Sequence, residues 1–542
     1  MPIRLARPTE PGLVYERTAG DAQKPLRGHY ARREPEKTVL YKVIARELAA
    51  FERAVEEQSE YGRGLPRFIE KDLHGYLDCG ILAKGFARIR CTSCKAERLV
   101  AFSCKSRGVC PSCTTRRMHD SAAHLVDRVI PFIPIRQFVL TFSSRVRFHL
   151  ADDPRLASEA LTLLLRVLFA WQRRRARRAG ARLNRANSNG AITFIQRFNS
   201  ALQLSLHFHT LVADGVFVHD NTDPDTRPRF VPIDPPTDEE VAALLDVIIG
   251  RVTDLLRKHG RLDDHDPDPG DVRRATYEKA ARAALPSTVR EDELPPLCAR
   301  KDGLSLHAAT AIHANDRAGL EHICRYGARP PIAIERLTET AAGTLEYKMK
   351  RVFSNGLHTI RMTPHERLTR LCALVPPPKN HQVRYHGQFA PSARGRAALT
   401  GRASTPRTKP AAPAVAASSS PATPTAPPPP SPATAPPTIA MPTAPDEGAP
   451  PPDPNRPIRL PWSKLLRRVH AIDVFRCANC GGAMRIVAFI TDEPTTKKIL
   501  DHLRLPSTSP PRGPPTRAAP EPREVHQHEL HLAVDPPPPD DD

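Results

Sequence analysis

Two histidines one residue apart lie in the apolar run Leu204-Ser205-Leu206-His207-Phe208-His209-Thr210-Leu211-Val212. Strand side chains alternate between faces, so the run predicts His207 and His209 on one face with Phe208 entering the opposite layer. Two adjacent imidazoles make a ready pair of metal ligands. A metal held by them and left partly open can bind a phosphodiester oxygen and polarise the phosphorus, and the reaction then needs an in-line nucleophile. Tyrosine can fill that role as a covalent phosphotyrosine. Of nine tyrosines, Tyr326 stands out in Leu320-Glu321-His322-Ile323-Cys324-Arg325-Tyr326-Gly327-Ala328-Arg329-Pro330-Pro331. It sits near the end of a short helical segment, and Arg325 and Arg329 flank it as cations able to hold phosphates. Tyr347 and Tyr385 are the competing nucleophiles.

Cysteines form the second chemically capable set. Eleven are present, an odd number, mostly in tight groups, which suits metal ligation better than a disulfide framework. Cys91, Cys94, Cys110 and Cys113 have the C-x2-C-x15-C-x2-C spacing expected of two knuckles around one tetrahedral zinc. Cys79 and Cys104, with His74 upstream, leave room for a second, looser site or a swap of ligands. The surrounding Lys95, Arg98, Lys105, Arg107, Arg116 and Arg117 are basic, so Lys105, Arg107, Arg116 and Arg117 are read as DNA-phosphate contacts. Cys477-Ala478-Asn479-Cys480 supplies only half a zinc site, for which His470, His502 or another chain are the candidate partners.

Lys and Arg number 80 against 59 Asp and Glu in 542 residues, a net charge of +21 that points to nucleic acid. No run of 18 uncharged apolar residues exists, so no membrane span is expected. The first ten residues lack an apolar signal segment, and a reducing cytoplasm is the expected compartment. From 403 to 457 there are 19 prolines in 55 residues and no aromatic, a composition that cannot bury a core. The tail, 506 to 542, has 11 prolines in 37 residues and is read the same way. The expected organisation is a poorly ordered 1–35, a helix plus zinc-binding module at 36–125, a core at 130–402, a disordered linker at 403–457, a small C-x2-C island at 458–505 and a disordered tail. Apolar periodicity predicts helices over 37–58, 153–178 and 238–259. Strand-like segments at 136–142, 191–198 and 204–218 argue for an α+β body on an antiparallel sheet.

Taken together these motifs resemble the rolling-circle, HUH-type transposases of the insertion sequence ninety-one group. Cys79-Gly80-Ile81-Leu82, Ala101-Phe102-Ser103-Cys104-Lys105 and Gly108-Val109-Cys110-Pro111-Ser112-Cys113 resemble that group's zinc-binding domain. Phe194-Ile195-Gln196-Arg197-Phe198, Ser200-Ala201-Leu202, the histidine pair and Asp214-Gly215-Val216-Phe217 resemble its nuclease core, with an antiparallel sheet flanked by helices. The resemblance implies His207 and His209 as ligands of Mg²⁺ or Mn²⁺, structural Zn²⁺ in the cysteine module, and Tyr326 as the nucleophile giving a 5′-phosphotyrosine. It also implies single-stranded DNA at element ends as substrate. Members with two tyrosines place them four apart; here the earlier position is His322, as in single-tyrosine variants. A lone tyrosine must be reused or supplemented by a second protomer, which brings in a homodimer. His322, one turn earlier on the same helix face, is then either a third ligand, a proton acceptor or an ordinary surface histidine. Two competing readings remain: a zinc-dependent DNA binder without catalysis, and a metallohydrolase that uses water as nucleophile.

Overall fold

The computed structural model describes residues 30, 32–59, 64–183, 188–219, 227–261, 294–349, 358–393, 395–399 and 460–513. The 403–457 linker, most of the 1–35 segment and the tail beyond Gly513 lie outside the described residues. The fold is α+β, with antiparallel sheets throughout.

Helices α1 (Val39–Glu57) and α2 (Arg67–Asp78) come first, followed by strands β1 (Phe86–Cys91) and β2 (Glu97–Ala101) and helix α3 (Pro111–Arg128). The core runs β3 (Ile135–Thr141), α4 (Ser144–Asp152), α5 (Pro154–Arg178), β4 (Gly190–Phe198), β5 (Leu204–Ala213), β6 (Gly215–Val218), β7 (Arg229–Pro232) and α6 (Asp238–Lys258). Then follow β8 (Cys298–Lys301), β9 (Leu304–His307), β10 (Ala311–Ile312) and α7 (Arg317–Gly327). A small sheet of β11 (Leu337–Glu339), β12 (Leu345–Lys348) and β13 (Thr359–Met362) precedes α8 (Pro364–Leu374) and β14 (Val383–Gly387). The C-terminal island holds α9 (Trp462–His470), β15 (Met484–Ile490) and α10 (Glu493–His502).

The three helices expected from periodicity form with ends fixed by local chemistry. Asp153 caps α5 by accepting from the Arg155 and Leu156 amides, with Pro154 at the first helical position. Thr237 and Glu240 make a reciprocal capping box at the start of α6.

The central sheet has the order β14-β4-β5-β3-β9-β8, with β10 pairing β3 beyond β9. One face, carrying Phe138, Leu140, Ile195, Leu206 and Phe208, packs on α4, α5 and α6. The other carries Ile192, Phe194 and Leu211 and meets α3 and α7. Because helices cover both faces, β3 and β4 are buried at every position, and the polar–apolar alternation expected of a half-exposed sheet is weak. The expected strand over 204–218 is broken at Asp214. That carboxylate forms a buried pair with Arg136 at 2.8 Å, while the same guanidinium donates to the Ala308 carbonyl at 3.0 Å. It thereby ties β5 and β3 to the end of β9.

The start of the tail is placed, unlike the expectation for 506–542. Gly513 N donates to Ala45 O at 2.8 Å, and Arg512 pairs with Asp78 at 2.7 Å. Among the described residues no helix is long and apolar enough to cross a membrane.

Candidate active site and metal-binding clusters

His207 and His209 stand two apart on β5, in ladder positions facing Gln196 and Phe194 of β4 and Thr141 and Val139 of β3. Their Nε2 atoms are 3.1 Å apart. His207 Nδ1 lies 2.8 Å from the Ser205 carbonyl, which can only accept, so Nδ1 carries the proton and Nε2 keeps its lone pair. His209 Nδ1 lies 2.6 Å from the side-chain amide of Gln137, whose other amide atom is buried without a partner among the described residues. Assigning the amide so that its oxygen accepts from Nδ1–H frees the second Nε2 as well. Burial pushes His207 down to about 4 and holds His209 well below the ordinary histidine range; the Arg329 charge acts in the same direction on both. Two neutral imidazoles, His209 buried and His207 half-buried, with converging lone pairs fit a divalent cation.

Tyr326 reaches this pair from the far side of the sequence. Its ring centroid is 5.6 Å from that of His209, at an interplanar angle of 81°. Helix α7 is fixed at both ends. At its start, Arg317 donates to the carbonyls of Val126, Ile130 and Pro131 at the end of α3. At its finish, Gln196 Nε2 donates to the carbonyls of Tyr326 at 2.8 Å and Gly327 at 3.0 Å. Gly327 allows the helix to touch β4, since a Cβ there would stand 2.6 Å from the Phe194 ring.

The two flanking arginines separate. The Arg329 guanidinium lies 4.2 Å above the Tyr326 ring and 5.5 Å from that of Phe198, and its Nε is buried without a hydrogen-bond partner among the described residues. Arg325 acts instead on His119 of α3, helping to hold that imidazole below its ordinary value after burial. His322 is exposed. Tyr347 is buried on the small sheet with Arg367 over its ring, and Tyr385 pairs with Ile192 at the sheet's β14 edge. Of the three tyrosines weighed as nucleophiles, Tyr326 is therefore the one in edge-to-face contact with a histidine of the pair.

Sequence reasoning missed Gln137 and His307 and gave Gln196, quoted only within a motif, no role of its own. His307 pairs with Val139 from the side opposite His209, so it occupies the same rung and face of the sheet. Its Nδ1 is buried without a partner among the described residues, and burial lowers its pKa. Only the strand pairing could have revealed this, because Leu304-Ser305-Leu306-His307 has no motif of its own.

The cysteines do not group as their spacing predicted. Cys91 and Cys94 belong with Cys477 and Cys480, whereas Cys110 and Cys113 belong with Cys79 and Cys104. The cause is the β1–β2 hairpin. Cys91 to Cys94 form its tip, and the five-residue strand β2 then carries the chain roughly 17 Å away. Cys79 and Cys104, just outside the hairpin's open end, are drawn together there by the Gly80 N to Phe102 O bond of 2.9 Å. Cys110 stands at the N-cap position of α3 and Cys113 lies in its first turn, where the helix N-terminus favours thiolates. Sulfur separations are 3.7 Å for Cys79–Cys113, 3.6 Å for Cys104–Cys113 and 3.6 Å for Cys79–Cys110. A tetrahedron with Zn–S of about 2.3 Å has edges of about 3.8 Å. Neighbouring sulfurs, Cys104 foremost, pull the Cys79 thiol below its ordinary value. His74 takes no part, pairing with Glu52 at 2.9 Å.

Among the basic residues around this cluster, Lys105, Arg116 and Arg117 are exposed and Arg107 is half-buried. Arg107 donates to the Pro377 and Asn380 carbonyls, and Arg117 to those of Lys105 and Ser106. Both guanidiniums thus also brace the loop, a contact that spacing alone does not disclose.

Comparison with known proteins agrees with both parts of this architecture. Residues 190–397 match the family described as "Putative transposase", and residues 50–142 match the "Transposase zinc-binding domain" of the insertion sequence ninety-one type. No curated protein and no solved structure matches the chain. The zinc-binding domain precedes the transposase domain, in the order of the sequence motifs, and the chain belongs to the transposases of the insertion sequence ninety-one family.

Proposed function

We propose that this transposase nicks one DNA strand with Tyr326 and keeps the cut end as a 5′-phosphotyrosine. The observation that carries the reading is the edge-to-face contact of Tyr326 with His209, an imidazole whose Nε2 already converges with that of His207. The Tyr326 oxygen attacks phosphorus and the bond to the 3′ oxygen breaks. The phenol proton passes to solvent and the departing 3′ oxygen takes one up. One phosphodiester replaces another, so a free 3′-OH can reverse the step and join the strand elsewhere. Arg329, with its buried unpartnered Nε beside the phenol, is positioned to hold the phosphate being attacked. His207 and His209 would hold Mg²⁺ or Mn²⁺, which when bound polarises the phosphoryl group. The substrate is single-stranded or melted DNA, because a phenol must reach an exposed phosphate. Lys105 and Arg116 supply exposed positive charge beside the zinc-binding cluster for the backbone.

Incubating the full chain with a labelled single-stranded oligonucleotide from the element's end and Mg²⁺ or Mn²⁺ tests this. The expected product is an adduct that survives denaturation and maps to the peptide containing Tyr326. Cleavage without an adduct would instead mean water as nucleophile, and binding without cleavage a DNA-binding protein only.

The helix contact gives a further expectation. In Gly327→Ala the new methyl must push α7 away from Phe194, whose ladder partner is His209. A displacement near 1 Å costs about 100-fold in a positioned reaction. Adduct formation is expected to fall by roughly 10- to 100-fold with oligonucleotide affinity unchanged, measured by single-turnover cleavage alongside a binding titration.

A further inference from the structure

The C-terminal island is built against the N-terminal module, and its cysteines complete a set that the zinc-binding domain match leaves half finished. That match ends at residue 142, so it contains Cys91 and Cys94 but not Cys477 or Cys480. Cys91 Sγ lies 3.5 Å from Cys480 Sγ, and Cys94 Sγ 3.6 Å from Cys477 Sγ. All four sulfurs fall within 4.8 Å of one another. The separations are far beyond the ~2.05 Å of a disulfide and near the ~3.8 Å edge of a zinc tetrathiolate.

Both halves have the same local form. Each is a C-x2-C turn followed by a residue in the left-handed region, Lys95 at φ 61° and Gly481 at φ 71°. The turns also lock onto each other. Thr92 N donates to Ala483 O at 2.9 Å, and a Cβ on Gly482 would stand 2.7 Å from Ser93 Oγ. Behind them β15 pairs antiparallel with β1 from Phe86↔Ile490 to Cys91↔Met484.

We propose that Cys91, Cys94, Cys477 and Cys480 bind a second structural zinc, which staples the C-terminal island onto the N-terminal module. The staple joins turns almost four hundred residues apart, where a cross-link constrains the unfolded chain strongly. It also seats α9 on the catalytic half of the molecule. Arg468 of α9 pairs at 2.6 Å with Asp127 of α3 and at 2.6 Å with Glu321 of α7, the helix that carries Tyr326. The zinc thus links the far end of the chain to the helix that bears Tyr326. The site itself does not depend on what Tyr326 does.

Native mass spectrometry of the zinc-replete full chain reads the proposal directly. Two zinc ions per chain are expected, falling to one in C477S/C480S, the remaining ion marking a folded first cluster. One ion in the wild type, or two in the variant, would overturn it. Should the variant fail to fold, thiol alkylation of the wild type decides, mapped by peptide during stepwise chelation. Cys477 and Cys480 are expected to be protected with zinc bound and to become reactive together with Cys91 and Cys94. Free alkylation of Cys477 and Cys480 in the zinc-replete chain would end the proposal.

Discussion

Tyr326→Phe is expected to abolish the covalent protein–DNA adduct, a loss on the order of 10⁴-fold or more, because the variant has no oxygen to attack phosphorus. The substitution keeps the ring, so the edge contact with His209 and the position of Arg329 over the ring face should persist. The Gln196 bonds reach backbone carbonyls and are indifferent to the side chain. Oligonucleotide affinity and zinc content are therefore expected to match the wild type, which separates lost chemistry from lost folding. Tyr347→Phe and Tyr385→Phe should retain the adduct, since one lies on another sheet and the other at the β14 edge. An adduct that survives Tyr326→Phe would move the nucleophile to one of these residues.

What the sequence disclosed of this site follows from the range of the forces that build it. The period-two placement of His207 and His209, the cap at Asp153 and the amphipathic helices are set by neighbours a few residues away. Meeting of Tyr326 with His209 depends on tertiary packing. Gly327 against Phe194 and Gln196 reaching the end of α7 leave no local pattern. The same limit governs the cysteines. C-x2-C reports a knuckle, but which two knuckles share an ion depends on the length of an intervening strand and on a partner turn beyond the proline-rich segment. Arg107 and Arg117 add a contact that charge alone does not reveal, since both donate to carbonyls of nearby loops. The burial of β3 and β4 on both faces has a related cause: α3 and α7 cover the face that a two-layer protein would leave to water.

His209→Ala should cost somewhat less than loss of the phenol, because one ligand of the pair remains. Removing a metal's contribution to charge stabilisation is worth several kcal/mol, and each 1.36 kcal/mol is tenfold in rate. Cleavage is expected to drop by roughly 10² to 10³, with partial recovery at high Mn²⁺ as the lone His207 is driven toward occupancy. Gln137→Leu tests the arrangement behind that ligand. The Gln137 amide holds His209 Nδ1 at 2.6 Å in a site with no water-exposed alternative, and its loss frees the ring to turn or change tautomer. Second-layer partners of metal-binding histidines are worth about 10- to 100-fold in metal affinity. Gln137→Leu is therefore expected to raise the Mn²⁺ concentration needed for half-maximal cleavage by that factor while saturating Mn²⁺ restores the rate. His209→Ala should lower the rate at every metal concentration. If both variants cleaved at the wild-type rate in limiting Mn²⁺, the histidine pair would not be the metal site, and the convergence of these side chains with Tyr326 would need another explanation.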